Sequence, residues 1–400
     1  MATLGDYISI KHGYAFKGDG ITTEDNGIVL VTPGNFAIGG GFKEGKCKFF
    51  SDEYPSEFVL SPDDLIVTMT DLSKEMDTLG YSALVPKTNR VYLHNQRIGL
   101  ISINREDLDK HFLYWFMRTR NYQRTIAGGA SGTTVHHTSP SRICEVVVDF
   151  PDLLTQKKIA GLMDNIEEKI QKNEEVNENL AAQIEALLLV SLDSEDAKPV
   201  KLGDYLYIKG RIGWKGLKKN EYLPRSEYRI INGETLTQSG IDWNKAGYIS
   251  EERYVESPEI MLKVGDILLS KDGTIGKIGY VDSLELPTSV ASGIFVIRNT
   301  KPDIISTTFI YYLLKSRLFT SFIAARTEGS VIPHLYQKDF MEFDFPLPTA
   351  DKMAEFEEIT EPMFSQIVNN LNENKKLVLL RDSLLPKLIS GELNVSEIDL

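Results

Sequence analysis

Leu4-Gly5-Asp6-Tyr7 is repeated as Leu202-Gly203-Asp204-Tyr205, 198 positions later. Phe150-Pro151 returns as Phe345-Pro346 after 195 positions, and the helical pattern behind each Phe-Pro matches its copy at an offset of 197. Small drifts in offset are short insertions, so a single large unit has been duplicated rather than a short motif iterated. Two similar units on one polypeptide make a two-fold object, which suits a partner with two halves.

Between the landmarks the chain reads as four segments. Residues 1–153 and 199–349 hold short strands, turns and a helix or two. Ile28-Val29-Leu30-Val31 and Asp64 to Met69 are strand candidates, and Gly265-Asp266-Ile267-Leu268-Leu269 parallels the second of these. Leu108 to Thr125 and Phe309 to Ala325 have the spacing of helices with an aromatic core face. Residues 154–198 and 350–400 are different. Their apolar positions, Ile159, Met163, Ile166, Ile170, Leu180, Ile184 and Leu187, alternate steps of four and three as in a heptad seam. Phe356, Ile359, Met363, Ile367, Leu377 and Leu384 form the second seam, and Asn173, Asn177, Asn370 and Asn374 occupy the two seam centres. If the helices pack antiparallel with their centres aligned, these asparagines meet and fix register at some cost in stability. Pro386 is expected to break or kink the end of the second helix, and Pro362 to mark a short helix before the main one. The fold class is therefore α+β: two globular mixed domains joined by two long antiparallel coiled-coil helices with pseudo-two-fold symmetry.

Composition fits two soluble globular domains, with 42% hydrophobic and 25% charged residues. No apolar run is long enough to span a membrane, and the amino-terminal residues lack the basic and apolar regions of a secretory signal. Only Cys47 and Cys144 occur, which fits reduced thiols in the cytoplasm. The net charge of −13 argues at first against nucleic acid. Its distribution permits DNA binding without indicating it: residues 154–198 and 350–400 each hold 5 basic and 10 acidic residues, leaving the globular segments nearly balanced.

A catalyst is hard to find. Gly273-Thr274-Ile275-Gly276-Lys277 lacks the spacing of a phosphate-binding loop, and Gly39-Gly40-Gly41 is a flexible turn rather than a dinucleotide fingerprint. The chain lacks the Asn-Pro-Pro-Tyr tetrad of amino-methyltransferases, HExxH and GxSxG. No Cys/His cluster has metal-ligand spacing. No catalytic residue and no metal site are expected.

The ordered set of motifs resembles the specificity subunit of type I restriction–modification enzymes over essentially the whole chain. It comprises the Leu-Gly-Asp-Tyr openings, the Gly/aromatic/Lys stretches Gly13 to Gly18 and Gly210 to Gly216, the Gly265 to Lys277 strand and turn, the Phe-Pro junctions, and the ending Leu384 to Leu393. Two departures stand out. The first unit shows Thr70-Asp71-Leu72-Ser73-Lys74 where the second has its Gly-Thr-Ile-Gly-Lys turn, and the usual Pro-x-x-Glu-Gln helix opening keeps only Gln156.

The resemblance implies two target-recognition domains held apart by the helices. It also implies two methyltransferase subunits docked on the assembly, and restriction subunits that can join. This chain would hold no cofactor; S-adenosylmethionine, ATP and Mg2+ would belong to its partners. It would bind double-stranded DNA without itself being an enzyme. A helix from Gln156 to Leu188 would be roughly 50 Å long at ~1.5 Å per residue, or about 15 base pairs. Two unlike domains on that spacer would read a bipartite, asymmetric target. The candidate DNA-binding residues are the cations and polar groups of the glycine-flexed loops: Lys17, Lys74, Asn95, Gln96, Arg97, Thr133, Thr134 and His136 in the first domain, and Arg211, Lys215, Lys271, Thr274, Lys277 and His334 in the second. The seam residues are candidates for helix pairing and for seating the methyltransferase. The competing reading is a non-enzymatic coiled-coil scaffold with two protein- or ligand-binding heads.

Overall fold

A computed structural model describes residues 2–45, 47–73, 75–132, 135–212, 216–237, 240–327 and 334–397. The chain forms two compact units, Met1–Lys172 with Asn374–Leu400, and Asn173–Glu373. The divisions fall inside two helices of 40 residues each, Leu153–Leu192 and Ala350–Ile389. Each unit therefore combines one globular segment with half of either long helix.

In the first unit an antiparallel sheet runs in the order Ile8–His12, Ile98–Ile103, Leu65–Thr68, Ser82–Leu84. In the second the order is Leu206–Gly210, Ile294–Asn299, Ile267–Ser270, Ile278–Tyr280. Each unit adds a mixed sheet, of five strands in the first and three in the second, with one parallel pair, Ile28–Val31 beside Val91–His94, and Tyr228–Ile231 beside Thr288–Val290. Ile28–Val31, Leu65–Thr68 and Ile267–Ser270 are nearly continuous apolar runs because both faces are covered. The α+β class is as expected.

The repeated tetrapeptide is a 3-10 turn in both units. Leu4 and Leu202 are buried, and their amides donate to the carbonyls of Val146 and Phe343. A side chain at Gly5 would meet Cys144, and one at Gly203 would lie 2.7 Å from the carbonyl of Met341. The glycine is required because the turn packs directly onto the following short helix.

Each expected aromatic helix is two helices, Lys110–Phe116 and Arg120–Gly128, and likewise Thr307–Lys315 and Arg317–Thr327. The break is local chemistry: the Thr119 hydroxyl accepts from the Tyr122 amide, and the Ser316 hydroxyl from the Phe319 amide. Such caps stabilise a new helix start against continuation of the old one. The aromatic faces are core as read, with Phe112, Trp115, Phe309 and Tyr312 buried.

The second long helix runs unbroken through Pro362 and Pro386, contrary to the sequence expectation. Both prolines are exposed, as are Glu358 and Asp382 four residues before them, so the carbonyls deprived of an amide donor lie on solvated faces. Ile359 is 40% exposed and leaves the seam, while the neighbouring Thr360 is buried with its hydroxyl donating to the Phe356 carbonyl.

In the first unit Ile159, Met163, Ile166 and Ile170 share an apolar cluster with Leu377, Leu384, Leu385 and Leu388. In the second, Leu180, Ile184 and Leu187 do so with Phe356, Met363 and Ile367. The pairing is antiparallel within each unit. Arg381 donates to Glu167 at 2.7 Å and Asn374 to the Ile170 carbonyl at 3.2 Å in the first. Asn173 donates to Glu373 at 2.7 Å and Asn370 to the Asn177 side-chain oxygen at 2.8 Å in the second. All four asparagines are buried, and Asn177 meets Asn370 as the seam reading required.

Candidate DNA interface

The antiparallel order of each four-stranded sheet brings one set of strand ends together. In the first unit these are the end of Ile8–His12, the start of Ile98–Ile103, the end of Leu65–Thr68 and the start of Ser82–Leu84. Main-chain hydrogen bonds join the loops there. Gln96 N donates to Tyr14 O, Met69 N to Arg97 O, and Thr138 N to Met69 O. The described residues of segments 13–17, 69–81, 95–97 and 131–138 thus form one edge. The second unit repeats the ladder, with Lys271 N donating to Gly293 O and Leu335 N to Lys271 O.

Most of the expected residues gather on these edges. Lys17, Gln96 and Arg97 are exposed and Asn95 is half-buried, its side-chain oxygen accepting from the Arg97 amide. His136 pairs with Asp71 across a short antiparallel bridge. In the second unit Thr274 is exposed at the turn tip, the Lys271 ammonium lies 5.1 Å from the Phe295 ring, and Lys277 donates to the Gly233 carbonyl at 3.0 Å. His334 is hydrogen-bonded to the Asp272 carboxylate. Lys74, Thr133, Thr134 and Lys215 lie outside the described residues.

The family pattern described as "Type I restriction modification DNA specificity domain" matches residues 1–182 and again 194–379. The chain belongs to this specificity-subunit family. Among similar proteins, the MjaIX specificity subunit of Methanocaldococcus jannaschii is 23% identical over 316 residues, covering 74% of this chain and 72% of that one. The EcoBI specificity subunit of Escherichia coli is also 23% identical, covering 98% and 85%. A crystal structure of the S subunit from M. genitalium shares the fold, with a TM-score of 0.60 at 19% identity over 96% of this chain and 94% of that one. As a specificity subunit the chain is the non-catalytic member of its system. Among the described residues no helix is long and apolar enough to cross a membrane, and no group of three His, Cys, Asp or Glu side chains could hold a metal.

Knowledge of the edges corrects the residue set. Arg211 is 2% exposed and faces inward. Its guanidinium donates to the Val290 carbonyl and to the Ser257 and Ser289 hydroxyls, so it supports the edge rather than meeting a phosphate. Burial lowers its pKa from the usual arginine value. In the first unit the counterpart of His334 is His137. Its ring lies 3.1 Å from the Thr70 hydroxyl, as His334 lies against Asp272.

The Gly-Thr-Ile-Gly-Lys turn is not lost from the first unit but displaced. Gly80 N donates to Thr68 O and Thr68 N to Tyr81 O, just as Gly276 N donates to Ser270 O and Ser270 N to Lys277 O. Thr78-Leu79-Gly80-Tyr81 is therefore the counterpart of Thr274-Ile275-Gly276-Lys277. Both glycines have left-handed φ, +83° and +91°, and both abut the same helix position, Ile126 or Ile323. Residues 71–77 stand where the second unit has only Gly273.

Sequence reasoning also passed over three sets of cations. Lys11 and Lys209 are exposed at the same offset from their Leu-Gly-Asp-Tyr turns, a repeat legible in the sequence. Arg120 and Arg124 are exposed one turn apart on the helix whose Gln123 donates to the Met76 carbonyl at 2.6 Å. Arg142 is exposed on the short helix that follows the 131–138 segment.

Proposed function

We propose that this specificity subunit reads a bipartite, asymmetric DNA target, each unit contacting one half-site through its loop edge. The carrying observation is the same hydrogen-bonded ladder at both edges, with different side chains and different loop lengths on it. Lysine and arginine side chains there take phosphates and orient the domain, while Asn, Gln, Thr and His groups read base edges. The long helices set the unread gap. Their apolar ends also seat two methyltransferase subunits, which restriction subunits can join, as the family resemblance implies; the names of the similar proteins place them in type I restriction enzymes. The partners carry S-adenosylmethionine, ATP and Mg2+; this chain supplies the address. Chromosomal and invading DNA would meet it in the cytoplasm.

Sequencing the adenine methylome with and without this gene tests the reading. The expected result is one gapped motif, unequal in its two halves, that vanishes with the gene. A single contiguous motif, or methylation indifferent to the gene, contradicts it.

A further inference from the structure

The first unit's loop edge carries an element that the second lacks. Residues 71–77 replace one glycine, and the described residues of this extra chain, 71–73 and 75–77, are tied down by hydrogen bonds. Asp71 is 2% exposed, and its carboxylate accepts from the Thr78 amide and hydroxyl at 2.7 and 2.6 Å and from the Ser73 amide at 2.6 Å. The Ser73 hydroxyl donates to Asp77 at 2.8 Å, and Gln123 holds the Met76 carbonyl from the neighbouring helix. The base of the loop is bridged to His136 and His137.

Leu72 projects from this brace, 63% exposed. A lone exposed leucine is ordinary on a protein surface; what distinguishes this one is its place on a hydrogen-bonded loop that the second unit lacks. The helix whose Gln123 holds the Met76 carbonyl also carries Arg120 and Arg124 at i and i+4, about 6 Å apart at Cβ. No carboxylate among the described residues pairs with either guanidinium. At the corresponding positions the second unit has Arg317 and Ser321, and its other helix arginine, Arg326, is paired with Asp339 at 3.5 Å.

We infer that loop 71–77 enters a DNA groove as the first unit's specificity-determining element, with Leu72 against a base edge and Arg120 and Arg124 on the flanking phosphates. Apolar contact of this kind distinguishes the thymine methyl group. Arginines beside it would orient the loop without carrying sequence information. The inference rests on the proposed function and deepens it, since it assigns one half-site to one loop.

The test is methylome sequencing of cells that carry the complete system with variant forms of this chain. Replacing residues 71–77 by one glycine, which reproduces the second unit's turn, should relax or change bases in one half of the motif. The other half and the gap should stay. Leu72→Ser should lower discrimination at a single position about tenfold. Joint replacement Arg120→Ala and Arg124→Ala should leave the motif intact, and should lower the slope of log affinity against log salt by about two for the full chain on a duplex carrying it. If the loop replacement abolishes methylation altogether, Leu72→Ser decides, because that side chain is exposed and its loss does not threaten the fold. An unchanged motif at full methylation in both loop variants overturns the inference. A wild-type strain without a gapped, gene-dependent motif overturns the proposed function instead.

Discussion

The two units agree where side chains hold the globular segment to the long helices and differ where loops leave the sheet. At a constant offset of 197, His111 and Asp164 of the first unit correspond to Thr308 and Glu361 of the second. Both pairs are in contact at 2.7 Å, although His111–Asp164 is an ion pair of poor hydrogen-bond angle and Thr308 donates squarely to Glu361. Arg118 lies 4.3 Å from the Trp115 ring and 5.0 Å from Tyr114, and Lys315 holds the same place over Tyr312 and Tyr311 at 5.6 and 5.3 Å. The offset drifts between these joints, to 198 at the opening turns and 195 at the Phe-Pro junctions, and it breaks past the end of the sheet at residues 71–77. A duplicated scaffold thus keeps the geometry of its joints while exchanging their chemistry, and changes length between them.

Four changes break or sharpen that comparison. The largest effect is expected from inserting four residues after Asn177, a one-turn stutter in the seam. It should lengthen the unread gap by about one or two base pairs at ~3.4 Å each, or disrupt assembly. Unchanged spacing with full activity, read in the methylome, would sink the idea that the helices act as a ruler. Next comes Gly80→Ala. It adds left-handed strain of roughly 1–2 kcal/mol to a clash with Ile126 at 2.8 Å, and overpacking adds about 1–3 kcal/mol. Gly276→Ala meets Ile323 only at 4.0 Å and should show the strain alone. Equal losses in denaturant unfolding would mean that the close approach of Ile126 adds nothing and that the two turns are packed alike.

A smaller effect separates the helix starts. Gln156, 1% exposed, accepts from the Asp109 amide and donates to the Asp107 and Pro151 carbonyls. Its counterpart, Met353, packs in the apolar cluster of the second unit. Gln156→Met should cost about 1–3 kcal/mol by removing three part-buried hydrogen bonds, despite the similar volume. Equal stability of the variant and the parent would remove the polar joint from the comparison.

The smallest effect is one of pH. The Asp164 carboxylate, 2.7 Å from the ring, raises the His111 pKa, opposed by burial and aided by the charge of Asp63, with Lys110 acting against it. A raised folded-state value contributes stability that is complete below the unfolded histidine pKa near 6.5 and is lost as pH rises through the folded value. His111→Thr, which copies the second unit, should erase that component of the stability–pH profile. Persistence of the same alkaline-side loss in this variant would assign it elsewhere.

The duplication, the seams and the meeting of Asn177 with Asn370 were legible because apolar spacing and buried polar centres repeat at fixed offset. What hid was local. A seven-residue segment in place of one glycine defeats any fixed offset, so the displaced turn at Thr78 to Tyr81 read as an absence. Arg211 looks like a phosphate ligand until three buried acceptors claim its guanidinium. The helix breaks at Thr119 and Ser316 depend on single hydroxyls, which spacing cannot weigh against continuation. Pro362 and Pro386 were read by propensity alone, and their exposed faces decide against it.

Exchanging residues 199–349 for the matching segment of another member of the family tests most directly whether the units read DNA independently. After the exchange, the methylome should show a motif with one half replaced, the other half unchanged and the gap conserved. Both halves changing together, or neither, would contradict a subunit built from two separate readers.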